Sequence, residues 1–218
     1  MKYIEKTPEP QTFTDWKNRA NKDWQPTYES LSGTLKKGVK TALMAEQGNL
    51  CCYCERRLVE DDSHIEHFRP QSDATVDPLG FSNMLCSCQN HLKKGDPLHC
   101  GNLKGDWFDE SLLISPLEKT CETQFAFTAD GYIQASQDPN QAALTTIEKL
   151  GLNIPKLRDL RSNTIDPFLD DDLSTEELQQ FVRGYLEHSD AGKFNEFWAT
   201  IRYIFKEYLV EDSMDEVT

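Results

Sequence analysis

The segment Ser-His-Ile-Glu-His-Phe-Arg-Pro, residues 63–70, decides the fold that we expect. Five cysteines flank it at spacings typical of metal ligands: Cys51, Cys54, Cys86, Cys88 and Cys100. A carboxylate beside a histidine, enclosed by thiols, predicts two metal sites on one small unit. Sulfur would hold a structural zinc, and oxygen and nitrogen would hold a catalytic divalent ion.

The thiols predict a closed tetrahedral zinc site. Cys51 and Cys54 have the Cys-x-x-Cys spacing with which one turn presents two sulfurs to one ion. Cys88 and Cys100 are the expected second pair, and Cys86 is the reserve because Cys86-x-Cys88 is tight for a knuckle. Four thiolates on zinc would contribute roughly 10–16 kcal/mol to folding. A redox role is disfavoured because no thioredoxin-like pattern surrounds the motif.

Residues in and around the central segment have the chemistry that phosphodiester hydrolysis requires. His67 suits a general base, since the unperturbed pKa of histidine is about 6.5. Glu66 and the Asn102 amide suit a hard cation such as Mg²⁺ or Mn²⁺, and Asn83 is expected to orient the His67 ring. Neighbours on a strand point to opposite faces, so Glu66 and His67 can serve one ion only if the strand ends or kinks at 69–70, or if Glu66 uses its backbone carbonyl.

Further polar residues complete the predicted site. Lys104 and Arg69 are expected to meet phosphate, with help from the amides of a helix that starts after Cys100. The third metal position has three alternatives in this sequence: His64, His91 and His99.

Composition and charge narrow the class of protein. The chain has 218 residues and a formal net charge of −14. Residues 1–58 carry a net +3, whereas residues 107–218 carry a net −13, which favours a solvated face or a protein-docking surface there. No apolar run is long enough for a membrane span, and the N-terminus lacks a signal-peptide pattern, so we expect a cytoplasmic protein without a membrane partner.

Three regions are predicted: helices in 1–48, a zinc-bearing core in 49–110, and an acidic, mainly helical region in 111–218. The pattern predicts a helix over 28–47, strands at 64–68 and 83–87, extended chain at 112–117, and a hairpin turn at Asp130-Gly131. It further predicts helices from 141 and 155, a capping box at 174–177, a last helix over 193–209, and a frayed acidic tail at 210–218.

These motifs together resemble HNH endonucleases with a ββα-metal core. The resemblance rests on Cys51-x-x-Cys54, Glu66-His67-x-x-Pro70, Asn83-Met-Leu and Cys100-x-x-x-Lys104-Gly105. More narrowly the chain resembles the HNH nuclease subunit of Septu-type anti-phage systems, including those attached to retrons. Two features differ from the common pattern: eleven residues separate Cys88 from Cys100, and Gly101 precedes Asn102.

The resemblance implies an α+β, mostly helical fold with a small ββα-metal core and a four-cysteine zinc knuckle, flanked by N- and C-terminal helices. It implies a metal-dependent endonuclease that acts on DNA or RNA beside an ABC-type ATPase subunit, with a retron reverse transcriptase and its DNA as further partners. The alternative function is a zinc-stabilised scaffold subunit that has lost catalysis.

Overall fold

The computed structural model describes residues 1–209 and shows an α+β chain made mostly of helices. The acidic tail at 210–218 lies outside the described residues. The elements are α1 (Gln11–Lys17), α2 (Gly33–Glu46), β1 (Ser63–His67), β2 (Met84–Cys88), α3 (Gly101–Lys104), β3 (Phe125–Phe127), β4 (Ile133–Ala135), α4 (Gln141–Lys149), α5 (Pro155–Ile165), α6 (Thr175–Leu186) and α7 (Trp198–Ile204). Within residues 1–209, none of these helices has the length and apolar character to cross a bilayer.

A hairpin followed by a short helix forms the centre of the molecule. β1 and β2 pair antiparallel, with Ser63 opposite Cys88 and His67 opposite Met84. α3 follows β2 after a loop, and α2 packs against both strands. The predicted strands are confirmed to within one residue at each end. The β1–β2–α3 order is that of a small HNH core, so the predicted fold class is confirmed.

One large apolar core joins the N-terminal helices, the central hairpin and much of the chain that follows, as far as Ala199. It buries side chains from the N-terminal helices, the central hairpin and the segments that follow it, among them Phe13, Leu43, Leu85, Phe125 and Leu150. Fully burying each such side chain stabilises the fold by roughly 1.5–3 kcal/mol. A second, smaller cluster lies in the C-terminal helices and contains Ile165, Phe168, Val182, Ile201 and Phe205.

A second hairpin forms where the sequence places its Asp-Gly turn. Phe125 of β3 pairs with Ala135 of β4, and Gly131 in the turn has a φ of 82°. A side chain at Gly131 would meet the Arg158 carbonyl oxygen at 2.1 Å, so only glycine fits there. Arg161 is buried below the turn and donates from Nε to the Gly131 carbonyl at 2.6 Å. Burial lowers the pKa of Arg161 to about 10.

Helix α2 begins later than its pattern predicts. The prediction starts at Tyr28, but the helix starts at Gly33 after turns that place the Tyr28 ring against His67. Its predicted end is confirmed, because Gly48 lies just beyond it with a φ of 58°. The helix is thus about one and a half turns shorter at its start than predicted, because the preceding residues contact the central hairpin instead.

The predictions at 193–209 and 112–117 were wrong in part. The last helix begins at Trp198, because the chain before it is held in a loop: Arg57 donates to the Phe194 carbonyl, and the Arg57 amide donates to Glu196 at 2.6 Å. Residues 112–117 form turns rather than extended chain. The capping box is confirmed, since Ser174 and Glu177 each bond the backbone of the other.

Candidate functional site

Four buried thiols meet at one point beside the central hairpin. The sulfurs of Cys51, Cys54, Cys88 and Cys100 all lie within 4.8 Å of one another, and Cys54 Sγ is 3.7 Å from Cys88 Sγ. They come from the turn before β1, the end of β2 and the residue before α3. Cys86, the reserve, is outside this group, and its thiol lies near Ser63 instead.

The pKa shifts of these thiols are those expected of a group of cysteines that binds a cation. Burial raises the pKa of Cys100 well above its ordinary value. Burial also opposes ionisation of Cys51, but hydrogen bonds from neighbouring thiols, Cys100 first, outweigh it and hold the pKa of Cys51 well below its ordinary value. Four sulfurs at this spacing cannot all ionise without a positive partner. Thiolate ligands in a closed tetrahedral set are those that structural zinc prefers, so the donor set fits that ion.

The Glu66 carboxylate is buried and has one oxygen held in place. Its Oε1 accepts from the Tyr53 hydroxyl at 3.0 Å and lies 2.8 Å from Lys104 Nζ. Its Oε2 lies 3.8 Å from His64 Nε2 on the same face of β1. Burial raises the pKa of Glu66, but His64 and the Lys104 ammonium outweigh burial and leave that pKa below its ordinary value. Glu66 is therefore an anion with one oxygen directed to His64.

The start of α3 lies unusually close to this carboxylate. A Cβ added to Gly101 would be 2.4 Å from Glu66 Oε2 and 2.9 Å from His64 Nε2. Two ligands that bind one divalent ion at about 2.1 Å each can be at most about 4.2 Å apart, so the 3.8 Å separation of the two side-chain atoms fits a shared ion. His64, a predicted alternative ligand, thus joins Glu66 in a candidate cation site.

His67 lies on the opposite face of β1. Its Nε2 is 2.9 Å from the Pro78 carbonyl, and since a carbonyl only accepts, Nε2 carries the proton. Nδ1 then carries the lone pair and can act as an acceptor. Burial lowers the pKa of His67, which keeps the ring neutral. The Tyr28 ring packs edge-on at 4.8 Å and fixes the imidazole.

The predicted Glu66–His67 pair on one ion is not formed. β1 stays regular through His67, and within residues 1–209 no hydrogen bond or ion pair joins the two side chains. The strand period therefore separates them, and His64, two residues before Glu66, takes the place beside the carboxylate.

The two predicted amides act on the backbone instead of the site. Asn83 accepts from the Arg69 amide and donates to the Arg69 carbonyl, both at 2.9 Å, and makes no bond to the His67 ring. It fixes the chain just after β1. Asn102 donates to the Gln89 carbonyl, and among the described residues it does not contact Glu66. Neither amide lies where the sequence predicted it.

The two predicted phosphate ligands differ in access. Lys104 is only 3% exposed, and its ammonium contacts Glu66, the His67 carbonyl at 3.1 Å and the Gly105 carbonyl at 3.2 Å. It neutralises a buried carboxylate and does not face solvent, so its predicted phosphate contact is not available here. Arg69 pairs with Asp73 at 2.8 Å, and its side chain is 43% exposed.

The remaining predicted histidines lie away from Glu66. His91 is exposed and bonds Asp62 through its backbone amide. His99 is fully buried beside the thiols, with Nδ1 at 3.1 Å from Cys100 Sγ. Sequence reasoning missed Tyr53, although its position between Cys51 and Cys54 placed it in the site.

A cavity of about 410 Å³ opens along β1 and was also missed. Its walls include Tyr28, His64 and three lysines of α2: Lys36, Lys37 and Lys40. Lys37 pairs with Glu60 at 2.6 Å, Lys40 donates to the Ser63 carbonyl at 3.0 Å, and Lys36 lies 4.8 Å over the Tyr28 ring. The spacing of these three lysines on one helix, at i, i+1 and i+4, is the sequence signal that could have predicted this cavity.

Comparison with known proteins relates the chain to two retron proteins, while no family model matches it. The chain is 33% identical over 139 residues to a Vibrio cholerae protein named "Retron Vc95 putative HNH endonuclease". It is 30% identical over 125 residues to an Escherichia coli protein named "Retron Ec83 putative HNH endonuclease". The matches cover 61% and 51% of this chain, and 65% and 48% of the two relatives. The chain is thus related to HNH endonucleases that are linked to retrons.

Proposed function

We propose, from this relationship to retron-linked HNH endonucleases, that the chain is a metal-dependent endonuclease that hydrolyses phosphodiester bonds in nucleic acid. One observation carries the proposal: Glu66 Oε2 and His64 Nε2 lie 3.8 Å apart against Gly101. They belong to a β1–β2–α3 unit whose first strand ends at His67. A buried carboxylate directed at an imidazole, with a glycine making room for the approach, is the arrangement expected of a cation site.

The residues of the chain have separate roles in this reaction. His64 and Glu66 would hold Mg²⁺ or Mn²⁺, which when bound neutralises charge on the phosphate and on the leaving oxygen. Tyr53 and Lys104 fix Glu66 Oε1, so that Oε2 keeps its direction. His67 would accept the proton of the attacking water at Nδ1, because Nε2 donates to the Pro78 carbonyl. Since its ring faces away from Glu66, the scissile phosphate would have to lie past the end of β1, where it can reach both the ion and the ring.

The thiol cluster supports this site from behind. Cys100 directly precedes Gly101, and the Gly101 amide donates to Ser87 Oγ at 3.2 Å. A zinc ion held by the four thiolates would therefore fix the start of α3 relative to β2, and with it the distance from Gly101 to Glu66. We infer a structural role for that ion, since its four ligands are all buried.

The biological setting is part of the proposal. The chain would be the effector subunit of an anti-phage complex in the bacterial cytoplasm, beside an ABC-type ATPase and a retron reverse transcriptase with its DNA. The acidic helix α6, with Glu176 and Glu177 in its first turn and Phe181 exposed, is our candidate docking surface for the ATPase. Reversing charge at these two glutamates should weaken co-purification of the ATPase with the full chain.

A second function has one observation in its favour. His67 is only 6% exposed and does not contact Glu66, which suits a scaffold subunit that binds zinc and no longer cleaves. In that case the polar and ionic contacts of the hairpin would be structural, and nuclease activity would belong to a partner.

A cleavage assay separates the two functions. Plasmid DNA and a single-stranded RNA are incubated with Mg²⁺ or Mn²⁺ and the protein, with and without the ATPase subunit. We expect cleavage by the wild type and its loss in His67→Ala and in Glu66→Gln. His188→Ala is the matched control, because His188 is exposed and lies outside the site. Equal activity in wild type and His67→Ala would refute the nuclease role of this chain.

A further inference from the structure

A second cavity lies outside the central hairpin and has no role in the proposed reaction. It has a volume of about 570 Å³ and lies between the turn at Lys119–Thr123, strand β3 and helix α7. Its lining residues are Lys119, Glu122, Thr123, Phe125, Trp198, Ala199, Arg202, Tyr203, Lys206 and Leu209. This is within the range of about 300–1,000 Å³ in which small-molecule sites fall.

The charge of this cavity is opposite to that of the region around it. Residues 107–218 have a net charge of −13, yet three cations and one acid line the cavity. Arg202 pairs with the acid, Glu122. Within residues 1–209, neither Lys119 nor Lys206 forms an ion pair. A positive cavity in an acidic surface concentrates anionic ligands at that point.

Aromatic rings stand beside the cations and are held firmly. Trp198 donates from Nε1 to the Leu186 carbonyl at 2.8 Å, and the Arg202 guanidinium lies 5.1 Å from its ring. Lys206 lies 5.1 Å from the Tyr203 ring. Phe125 is almost wholly buried, so the partly exposed rings are those of Trp198 and Tyr203. The cavity therefore offers flat apolar walls next to positive charge, and both are positioned before a ligand arrives.

We propose that this cavity binds a nucleotide unit, with its base against the aromatic walls and its phosphate on Lys119 and Lys206. Sites for single-stranded nucleic acid combine stacking rings with a positive groove in the same way. An acidic peptide would satisfy the lysines but leave the aromatic walls uncovered. A free nucleoside phosphate and a nucleotide within a single strand share this chemistry, and experiment can tell them apart.

Binding is measured with the zinc-loaded full chain carrying His67→Ala, without added Mg²⁺ or Mn²⁺, so that cleavage plays no part. The probes are a fluorescein-labelled oligo-dT of ten nucleotides and ATP as competitor. We expect saturable binding at low salt, and a loss of about tenfold or more in Lys119→Glu/Lys206→Glu. The slope of log affinity against log salt should fall by about 0.7, since single strands contribute about 0.7 per phosphate contact and the two lysines share one phosphate.

The matched control is Lys22→Glu/Lys156→Glu, which changes net charge equally at two exposed lysines outside the cavity. Its affinity should stay within about twofold of the wild-type value. Competition by ATP identifies a free nucleotide as the ligand, and binding of the oligonucleotide alone identifies a strand. No saturable binding, or an equal loss in the control, overturns the proposal. The result does not depend on cleavage, so the nuclease proposal stands or fails separately.

Discussion

Replacing Gly101 with alanine adds a single methyl group at the closest contact of the candidate site. The new Cβ would lie 2.4 Å from Glu66 Oε2 and 2.9 Å from His64 Nε2. Gly101 has no positive φ, so the change brings no backbone strain and acts through this contact alone. Glu66 cannot simply turn away, because Tyr53 and Lys104 hold its other oxygen.

The size of the effect follows from this overlap. Restoring an ordinary contact requires the carboxylate or α3 to move by roughly 1 Å, and such overpacking costs about 1–3 kcal/mol of stability. A displacement of about 1 Å at a reacting centre lowers a rate by about 10²-fold. We therefore expect Gly101→Ala to fold, with a lower free energy of unfolding and about a hundredfold lower cleavage rate.

Urea denaturation measures the stability, and plasmid cleavage at saturating Mn²⁺ measures the rate. Gly184→Ala is the control, because Gly184 lies inside α6 with nothing within 4 Å of an added Cβ. It should raise the free energy of unfolding by about 0.5–1 kcal/mol and leave cleavage unchanged. If Gly101→Ala cleaves as fast as the wild type, the close approach of α3 has no part in the reaction.

Three further changes test the rest of the site. Cys88→Ser should abolish zinc binding and lower the melting temperature, whereas Cys86→Ser should keep about one zinc per chain by elemental analysis; equal zinc loss in both would place Cys86 in the site. Because burial lowers the pKa of His67, kcat/KM should fall only below about pH 6.5, and an acid limb above that pH would exclude His67 as the base. Lys104→Met leaves the Glu66 carboxylate buried without its cation and should lower the free energy of unfolding by about 3–5 kcal/mol. If the double variant Lys104→Met/Glu66→Gln recovers that stability, the ion pair is identified as the cause.

Much of the fold could be predicted because its signals are local. The short apolar pieces at 64–68 and 83–87 give two strands, the Asp130-Gly131 pair gives a hairpin turn, and Ser174 with Glu177 gives a helix start. The grouping of Cys51, Cys54, Cys88 and Cys100 was predictable as well, because thiol spacing limits which turns can share an ion. The late start of α7 was not predictable, because Arg57, far away in sequence, holds the preceding loop.

The residue types of the site could be predicted from the sequence, but the contacts that these residues make with one another could not. The Glu66–His67 motif suggested one shared ion, whereas strand geometry places His64 beside Glu66. Lys104 has the sequence position of a phosphate ligand, but only the packing of α3 on β1 reveals that it is buried on Glu66. Asn83 likewise bonds backbone that lies fourteen residues earlier. Each error concerns a contact between segments that are distant along the chain.

The loop that carries Phe194 has a practical consequence for anyone dissecting this protein. The Glu55 carbonyl, one residue past the Cys51–Cys54 turn, accepts from the Phe197 amide, and its carboxylate accepts from the Ala199 amide at 2.7 Å. The turn that carries Cys51 and Cys54 is thus hydrogen-bonded to residues near the end of the described chain. A fragment of residues 49–110 alone would expose apolar side chains that pack against the rest of the chain. Truncation is therefore unsuitable for assigning activity to one segment.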